Sequence, residues 1–361
     1  MKAILSGDPM INSDLFKAAY EQHLQPYFPT VVAKNWEDDW AKLQDRRLKV
    51  EQSGPEIEIV PDVVIESGQD ASFLSGLFFP VSSKVMDAMP NLRMVGLARA
   101  GKENVNLKEA TKRGILVFNV MGRNAEAVSD FAVGLMLAES RNIARAHMSI
   151  QQGGWQKEFS NNEFVPQLKG KKVGIAGFGY IGRLVAKKLS GWDLEVLVYD
   201  AYTPQEEIIA AGCTPVDKET LFKESDFISV HLRLVDATKK WVDRHHLSLM
   251  KKTAVIVNTG RSGLFDMDGL YDALASKQIA GAGLDVFDNE PLEANSKWLS
   301  LENVTLTTHI AGTTTEVLTK SPYLLFEDIE TFLKGGRAKG ILNPEVLDNP
   351  SFQAWLSEVR K

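Results

Sequence analysis

The feature that most constrains this chain is an apolar strand that runs into three glycines at fixed spacing. Lys172-Val173-Gly174-Ile175-Ala176 reads as a buried strand, Gly177-Phe178-Gly179-Tyr180-Ile181-Gly182 as the turn after it, and Tyr180 to Ser190 as a helix stopped at Gly191. A second strand, Leu194 to Tyr199, ends on Asp200. A dinucleotide needs this order of parts. Gly177 permits the tight turn, Gly179 lets a pyrophosphate approach the backbone, and Gly182 lets the helix pack on the strand. The helix N-terminus faces the phosphates, and a carboxylate about 20 residues on accepts from a ribose hydroxyl. Spaced glycines alone also mark ordinary turns, and it is the complete order that separates this run from one. Asp200 favours NAD over NADP, because a 2′-phosphate would meet its charge and no basic residue directly follows it.

The rest of the chain suits an α/β protein with two doubly wound, parallel-sheet domains. Its 361 residues are too many for one ordinary core. Val63-Val64-Ile65, Leu77-Phe78-Phe79, Met94 to Ala98 and Ile115 to Phe118 read as buried strands, with a helix over Asn106 to Arg113. A long helix then starts at Asn124 as N-cap. It carries an apolar stripe of Val128, Phe131, Leu135 and Ala138, extended by Met136 and Ile143, and ends at Gly153-Gly154. Later strands are expected at Phe227 to Leu232, Ala254 to Val257, Gly283 to Phe287 and Val304 to Thr307. The charged, Trp-containing segment 35–54 reads as a surface insertion of unassigned role.

Composition excludes several classes. Charged residues make up 24% and the formal net charge is −6, so no electrostatic case exists for nucleic-acid or anionic-membrane binding. The single cysteine, Cys213, rules out an internal disulfide framework, and no metal-ligand spacing stands out among the six histidines. The N-terminus is too short in apolar residues for a signal peptide and no run suits a bilayer span, so a cytoplasmic protein is expected.

Three further residues each follow an expected parallel strand, where doubly wound sheets place their ligands. They are Arg261 in Asn258-Thr259-Gly260-Arg261, Glu290 before Pro291, and His309 in Thr307-Thr308-His309-Ile310-Ala311-Gly312. A guanidinium can grip a substrate carboxylate and polarise the adjacent keto oxygen. An imidazole can donate the proton that accompanies hydride transfer, and a carboxylate beside it favours the imidazolium.

With these motifs, the sequence resembles the D-isomer-specific 2-hydroxyacid dehydrogenases, a family that includes formate, glycerate, D-lactate and phosphoglycerate dehydrogenases. The resemblance runs from about Met94 to the closing Asn343-Pro344-Glu345-Val346. It implies NAD as cofactor and interconversion of a 2-keto acid with a D-2-hydroxy acid. It assigns Arg261 to substrate, His309 to acid/base work, Glu290 to the histidine, and Asp285 to the nicotinamide carboxamide. His231 and Thr259 complete the implied cofactor set beside Gly177 to Gly182 and Asp200. The implied substrate domain is discontinuous, residues 1–122 and 318–361, around an NAD-binding domain of 123–317 with a cleft between them, in a homodimer. Two places depart from the family pattern. The substrate loop is the short Arg99-Ala100-Gly101-Lys102-Glu103-Asn104, in which Ala100, Gly101 and Lys102 are substrate candidates and Lys102 is equally readable as a solvated lysine. Arg233 stands where the family often has proline, either along the cofactor or as a plain surface residue. Arg123 is a candidate for the distal end of a substrate, and is also readable as a surface arginine. A phosphorylated sugar-acid dehydrogenase of phosphoglycerate type and an NAD-sensing corepressor-like protein are the alternatives.

Overall fold

Two parallel sheets organise the chain, and each is buried on both faces. The computed structural model describes all 361 residues. One compact unit comprises Met1–Arg123 with Thr314–Lys361, and the other Asn124–Thr313, so the return crossing lies a few residues before the expected 318.

In the first unit, β1 (Lys2–Gly7), β2 (Thr30–Asn35), β3 (Ala71–Gly76), β4 (Met94–Leu97) and β5 (Leu116–Asn119) pair in parallel in the order β2-β1-β3-β4-β5. Alternation along the strands serves two cores. Ala3, Leu5, Phe73, Met94, Leu116 and Phe118 face one, which Phe16, Phe326, Phe332 and Phe352 complete from the helices. Ile4, Leu74, Val95 and Val117 face the other. The C-terminal segment closes this unit. The helix Thr315–Leu333 buries Leu325, Phe326, Ile329 and Phe332, and Asn343 accepts from the Val117 N–H (2.8 Å) and donates to the Ile115 carbonyl (2.9 Å).

Three expectations fail here, each for an identifiable reason. Val63-Val64-Ile65 lies in a helix, Asp62–Ser67, begun after Pro61; Val63 and Val64 are buried while Ile65 is exposed, a helical rather than a strand pattern. Leu77-Phe78-Phe79 follows β3 instead of forming it. The strand itself carries Ser72 and Ser75, with the Ser75 hydroxyl satisfied by the Gly96 carbonyl at 3.0 Å, so its polarity masks it. The long helix is two, Ala125–Ser140 and Ile143–Gln151, broken at Asn142, whose φ of 57° no helix interior adopts. Asn124 stands at the N-cap position without a side-chain capping bond.

The second unit holds β6 (Lys172–Ala176), β7 (Glu195–Tyr199), β8 (Thr214–Pro215), β9 (Phe227–Val230), β10 (Val255–Asn258), β11 (Gly281–Leu284) and β12 (Val304–Leu306), all parallel, in the order β12-β11-β10-β9-β6-β7-β8. The helix Ala125–Ser140 lies against its far end so closely that a Cβ on Gly281 would sit 2.2 Å from Glu139 Oε1. Strand order reverses between β6 and β9, and an α/β sheet opens a ligand crevice at such a point. Cys213 is buried here, and no helix of either unit is long and apolar enough to cross a membrane.

Phe326 is fully buried and packs on Phe16 and Phe73, with ring centroids 6.2 and 5.9 Å away. Phe326→Ala is expected to destabilise the first unit by about 3–5 kcal/mol, through lost transfer energy plus the cavity left behind. Denaturant unfolding followed by tryptophan fluorescence measures this, and a loss under about 1 kcal/mol would mean the C-terminal helix is not part of that core.

Candidate active site

The reversal point carries the glycine-rich turn. Gly177 has φ +96°, and a Cβ there would lie 2.9 Å from the His231 carbonyl at the end of β9. A Cβ on Gly182 would lie 2.0 Å from the Gly177 oxygen, so helix and strand meet only because neither residue has a side chain. Gly179 differs: its side faces open space, and it begins the helix Tyr180–Leu189 with no side chain capping the first turn. Free N–H groups and an open approach are what a pyrophosphate needs.

Asp200 closes the turn. Its Oδ2 accepts from the Phe178 N–H (2.6 Å), and its Oδ1 from the N–H groups of Tyr202 and Thr203 (2.8 Å each). Burial pushes its pKa up, but these donors outweigh it and hold the carboxyl below the usual range, so it is anionic at neutral pH. Desolvation pushes His231 down to about 4, and its ring bonds the Ser229 hydroxyl at 2.9 Å as a neutral group. Thr259, at the end of β10, is buried with a hydroxyl that finds no partner. Phe178 is buried, whereas Tyr180 is exposed and Ile181 packs partly on the core. The Arg233 side chain is exposed and makes no ion pair. An uncapped helix start, an open glycine and an orphaned hydroxyl along one sheet edge fit a bound NAD.

Glu290 and His309 meet directly. His309 Nδ1 lies 2.6 Å from Glu290 Oε2, while Glu290 Oε1 accepts from the Phe287 N–H at 2.9 Å. A carboxylate can only accept, so Nδ1 carries the hydrogen and Nε2 is left unpartnered on a side chain about one-third exposed. Burial pushes the Glu290 pKa up, but the His309 ring and the Phe287 N–H hold it below the usual range, helped by the charge of Arg261. His309 itself has φ 56°, a left-handed conformation that costs a non-glycine residue about 1–2 kcal/mol.

The fully buried Asp285 sustains that conformation. Its Oδ1 accepts from Thr307 Oγ (2.6 Å) and the Ile310 N–H (3.0 Å), and its Oδ2 from the Ala311 N–H (2.9 Å). Residues on both sides of His309 are therefore tied to one carboxylate. Arg261 is exposed, touches only the neighbouring Gly260 carbonyl (2.8 Å), and pairs with no acid. Asn258 steadies its turn by donating to the Arg261 carbonyl and accepting from the Gly260 N–H, both at 3.0 Å. The sequence reading missed the supporting roles of Asn258 and Thr307. The Asn-x-Gly pattern of a side-chain turn was the available signal for the first, and nothing local marked the second.

The remaining candidates lie in the first unit. The Ala100 carbonyl accepts from Asn119 Nδ2 at 2.6 Å. A Cβ on Gly101 would strike the Arg99–Glu103 pair, and Lys102 is exposed without a partner. Arg123 donates to the Ser321 hydroxyl at 2.8 Å and meets no carboxylate.

Comparison with known proteins identifies the family. Residues 133–311 match the model of the D-isomer specific 2-hydroxyacid dehydrogenase NAD binding domain. A glyoxylate reductase of Korarchaeum cryptofilum is 35% identical over 295 residues, 81% of this chain and 89% of the relative. A hydroxypyruvate reductase of Thermotoga maritima is 36% identical over 275 residues, 76% and 86% respectively. The apo structure of D-lactate dehydrogenase from Escherichia coli superposes with a TM-score of 0.70 at 24% identity, covering 95% of this chain and all of that one. With its glycine-rich turn, its Asp200 and its histidine–glutamate pair, the chain belongs to the D-isomer-specific 2-hydroxyacid dehydrogenases and is an NAD-dependent oxidoreductase that interconverts 2-keto and D-2-hydroxy acids.

Proposed function

We propose that His309 is the acid/base of this reaction, Glu290 its partner and Arg261 the substrate anchor. The unpartnered Nε2 of His309, with Nδ1 committed to Glu290 at 2.6 Å, carries this reading. Bound NADH supplies the hydride for reduction. Nε2 gives its proton to the keto oxygen, and takes it back in the oxidative direction. Glu290 fixes the ring's orientation and offsets the positive charge it bears before the transfer. Arg261, free of any acid, holds the carboxylate next to the reacting carbon and polarises the carbonyl. Asp285 is a positioning residue that acts through the loop of His309, and the same sheet edge suits the resemblance's assignment of it to the nicotinamide carboxamide. Ala100, Gly101 and Lys102 are the resemblance's candidates for substrate contact in the first unit. Glyoxylate and hydroxypyruvate, named for the relatives, are the first substrates to assay. We place the enzyme in the cytoplasm, where a pool of NADH is available to it.

We infer a homodimer from the second unit. Its helix Ile143–Gln151 buries no residue, and Ile143, Met148, Ile150 and the following Trp155 are all exposed. Several large apolar side chains exposed on one short helix and just after it suit an interface.

Three sets of measurements test these assignments, the first on the histidine–glutamate pair. His309→Asn is expected to lower kcat for reduction by about 10²–10⁴-fold while NADH still quenches protein fluorescence. In Glu290→Gln, the alkaline limb of the kcat/KM profile for reduction should move to lower pH, because an imidazolium loses its counter-charge. Held below the usual carboxylate range, Glu290 is ionised throughout the pH range of that limb in the unmodified enzyme. An unmoved limb in the variant would detach Glu290 from catalysis.

The second measurement concerns the cofactor. kcat/KM with NADH should exceed that with NADPH, and Asp200→Ala should narrow the ratio, since the anionic Asp200 repels a 2′-phosphate. Equal use of both cofactors by the unmodified enzyme refutes the role given to Asp200. The third is mass by light scattering. The chain should run at twice its 40.0 kDa, and Ile143→Glu with Ile150→Glu should halve that value. A monomeric unmodified protein at micromolar concentration overturns the dimer.

A further inference from the structure

In the second unit, the loop after β9 brings a cation to the edge of the dinucleotide crevice. A Cβ on Gly177 would lie 2.9 Å from the His231 carbonyl and 3.0 Å from the Leu232 nitrogen, so the loop leaves the sheet in contact with the glycine-rich turn. Two residues on, Leu234 packs against the turn of Arg261, where a Cβ on Gly263 would lie 3.1 Å from its Cδ2. Arg233 stands between these two contacts. Thr238 holds its backbone: the hydroxyl donates to the Arg233 carbonyl at 2.6 Å and accepts from the Val235 N–H at 2.9 Å. The main chain of Arg233 is thus fixed, while its guanidinium is exposed and has neither an ion pair nor a hydrogen-bond partner.

The rest of the crevice supplies little positive charge. The helix Tyr180–Leu189 offers about half an elementary charge at its N-terminus. The ionised Asp200 sets a negative charge at the same edge, with its oxygens turned to the N–H groups of Phe178, Tyr202 and Thr203. Arg183, on that helix, is already committed: it donates to Glu207 at 2.7 Å and lies 4.7 Å over the Phe178 ring. A dinucleotide's diphosphate bridge is an anion, and backbone N–H groups beside a carboxylate do not neutralise it. Strand order says which phosphate Arg233 meets. Asp200 ends β7, on the far side of β6, two strand spacings or about 10 Å from β9. The ribose 2′ position belongs at Asp200, and the glycine-rich turn, where the diphosphate belongs, lies between them. We propose that Arg233 is a phosphate-binding residue that holds the diphosphate bridge of the cofactor from the β9 side. This rests on the NAD site described above and adds a charged side chain to it. An arginine suits the task, because its planar fork meets two phosphate oxygens at once.

Calorimetric titration of the full chain with three ligands tests this: NADH, NADPH, and adenosine, which has no phosphate. Arg233→Gln should raise Kd for NADH by about tenfold, the scale of one charge-assisted hydrogen bond, and leave Kd for adenosine unchanged. NADPH carries the same bridge, so its Kd should rise by the same factor and the NADPH-to-NADH ratio should stay where it is. Arg233→Lys should fall between the two proteins, since an ammonium keeps the charge and loses the fork. Added salt should weaken NADH binding more steeply in the unmodified protein than in Arg233→Gln. The exposed guanidinium supports no other contact, and retained adenosine binding verifies that the variant is folded. An unchanged Kd for NADH in Arg233→Gln overturns the proposal. So does an equal loss for adenosine, the mark of a purely structural arginine. A loss confined to NADPH moves Arg233 to a 2′-phosphate and overturns the diphosphate assignment. Failure of the unmodified protein to bind either NADH or NADPH refutes the cofactor site itself, a result distinct from all of these.

Discussion

The site hangs on one buried carboxylate. Asp285 sits at the end of β11 with no solvent exposure, and its two oxygens gather a hydroxyl and two backbone N–H groups from Thr307, Ile310 and Ala311. Between those anchors His309 adopts a backbone conformation it would not choose alone. Without the anchors the loop would relax and the imidazole would leave Glu290. The strain is small beside the hydrogen bonds that oppose it, each worth about 1.5–3 kcal/mol when one partner is charged. A carboxylate buried in the sheet edge thus fixes the direction of the His309 ring, 24 residues further along the chain.

The same division between anchor and outward-facing side chain recurs. Asn258 holds the turn of Arg261, and the Phe287 N–H holds Glu290, so each outward-facing side chain stands on a satisfied polar contact. In the first unit the surface segment 35–54 does related work. Arg46 stacks 4.4 Å over Trp36 and bonds Glu37 and Glu58, which fixes the helix from which Glu51 reaches Arg99. The segment is therefore part of the electrostatics of that sheet edge, balancing a guanidinium that β4 delivers.

What the sequence makes legible follows from how local each cause is. The glycine-rich turn is local: Gly177 and Gly182 each answer to a close contact within a few residues or one strand away, Gly179 leaves an open approach, and the motif is readable from spacing. Strands with continuous apolar runs, such as Val255–Asn258, are equally plain. The strand Ala71–Gly76 is not, because its serines are buried by neighbours far along the chain. The helix Asp62–Ser67 is too short for periodicity to separate it from a strand. The break at Asn142 depends on Asn161, whose side chain it bonds at 2.7 Å, and on Arg145, so no window around the helix reveals it. The pairing of Glu290 with His309 joins residues 19 apart through two strand ends, and only the order of the sheet brings them together.

The first unit is assembled from both ends of the chain, and this sets an order of events during synthesis. β1 to β5 emerge early, yet one face of their sheet is covered by Leu325, Phe326, Phe332 and Phe352, and β5 takes its last partners from Ile341 and Asn343. Until the ribosome has passed residue 352, that sheet presents uncovered phenylalanines to the cell. The intervening unit has every strand and helix of its core in one continuous stretch, so its core is complete in sequence once residue 313 has emerged. The nucleotide-binding half is thus complete while the first half still waits, and any lesion that halts translation late in the gene yields a protein with one finished unit and one exposed, aggregation-prone sheet.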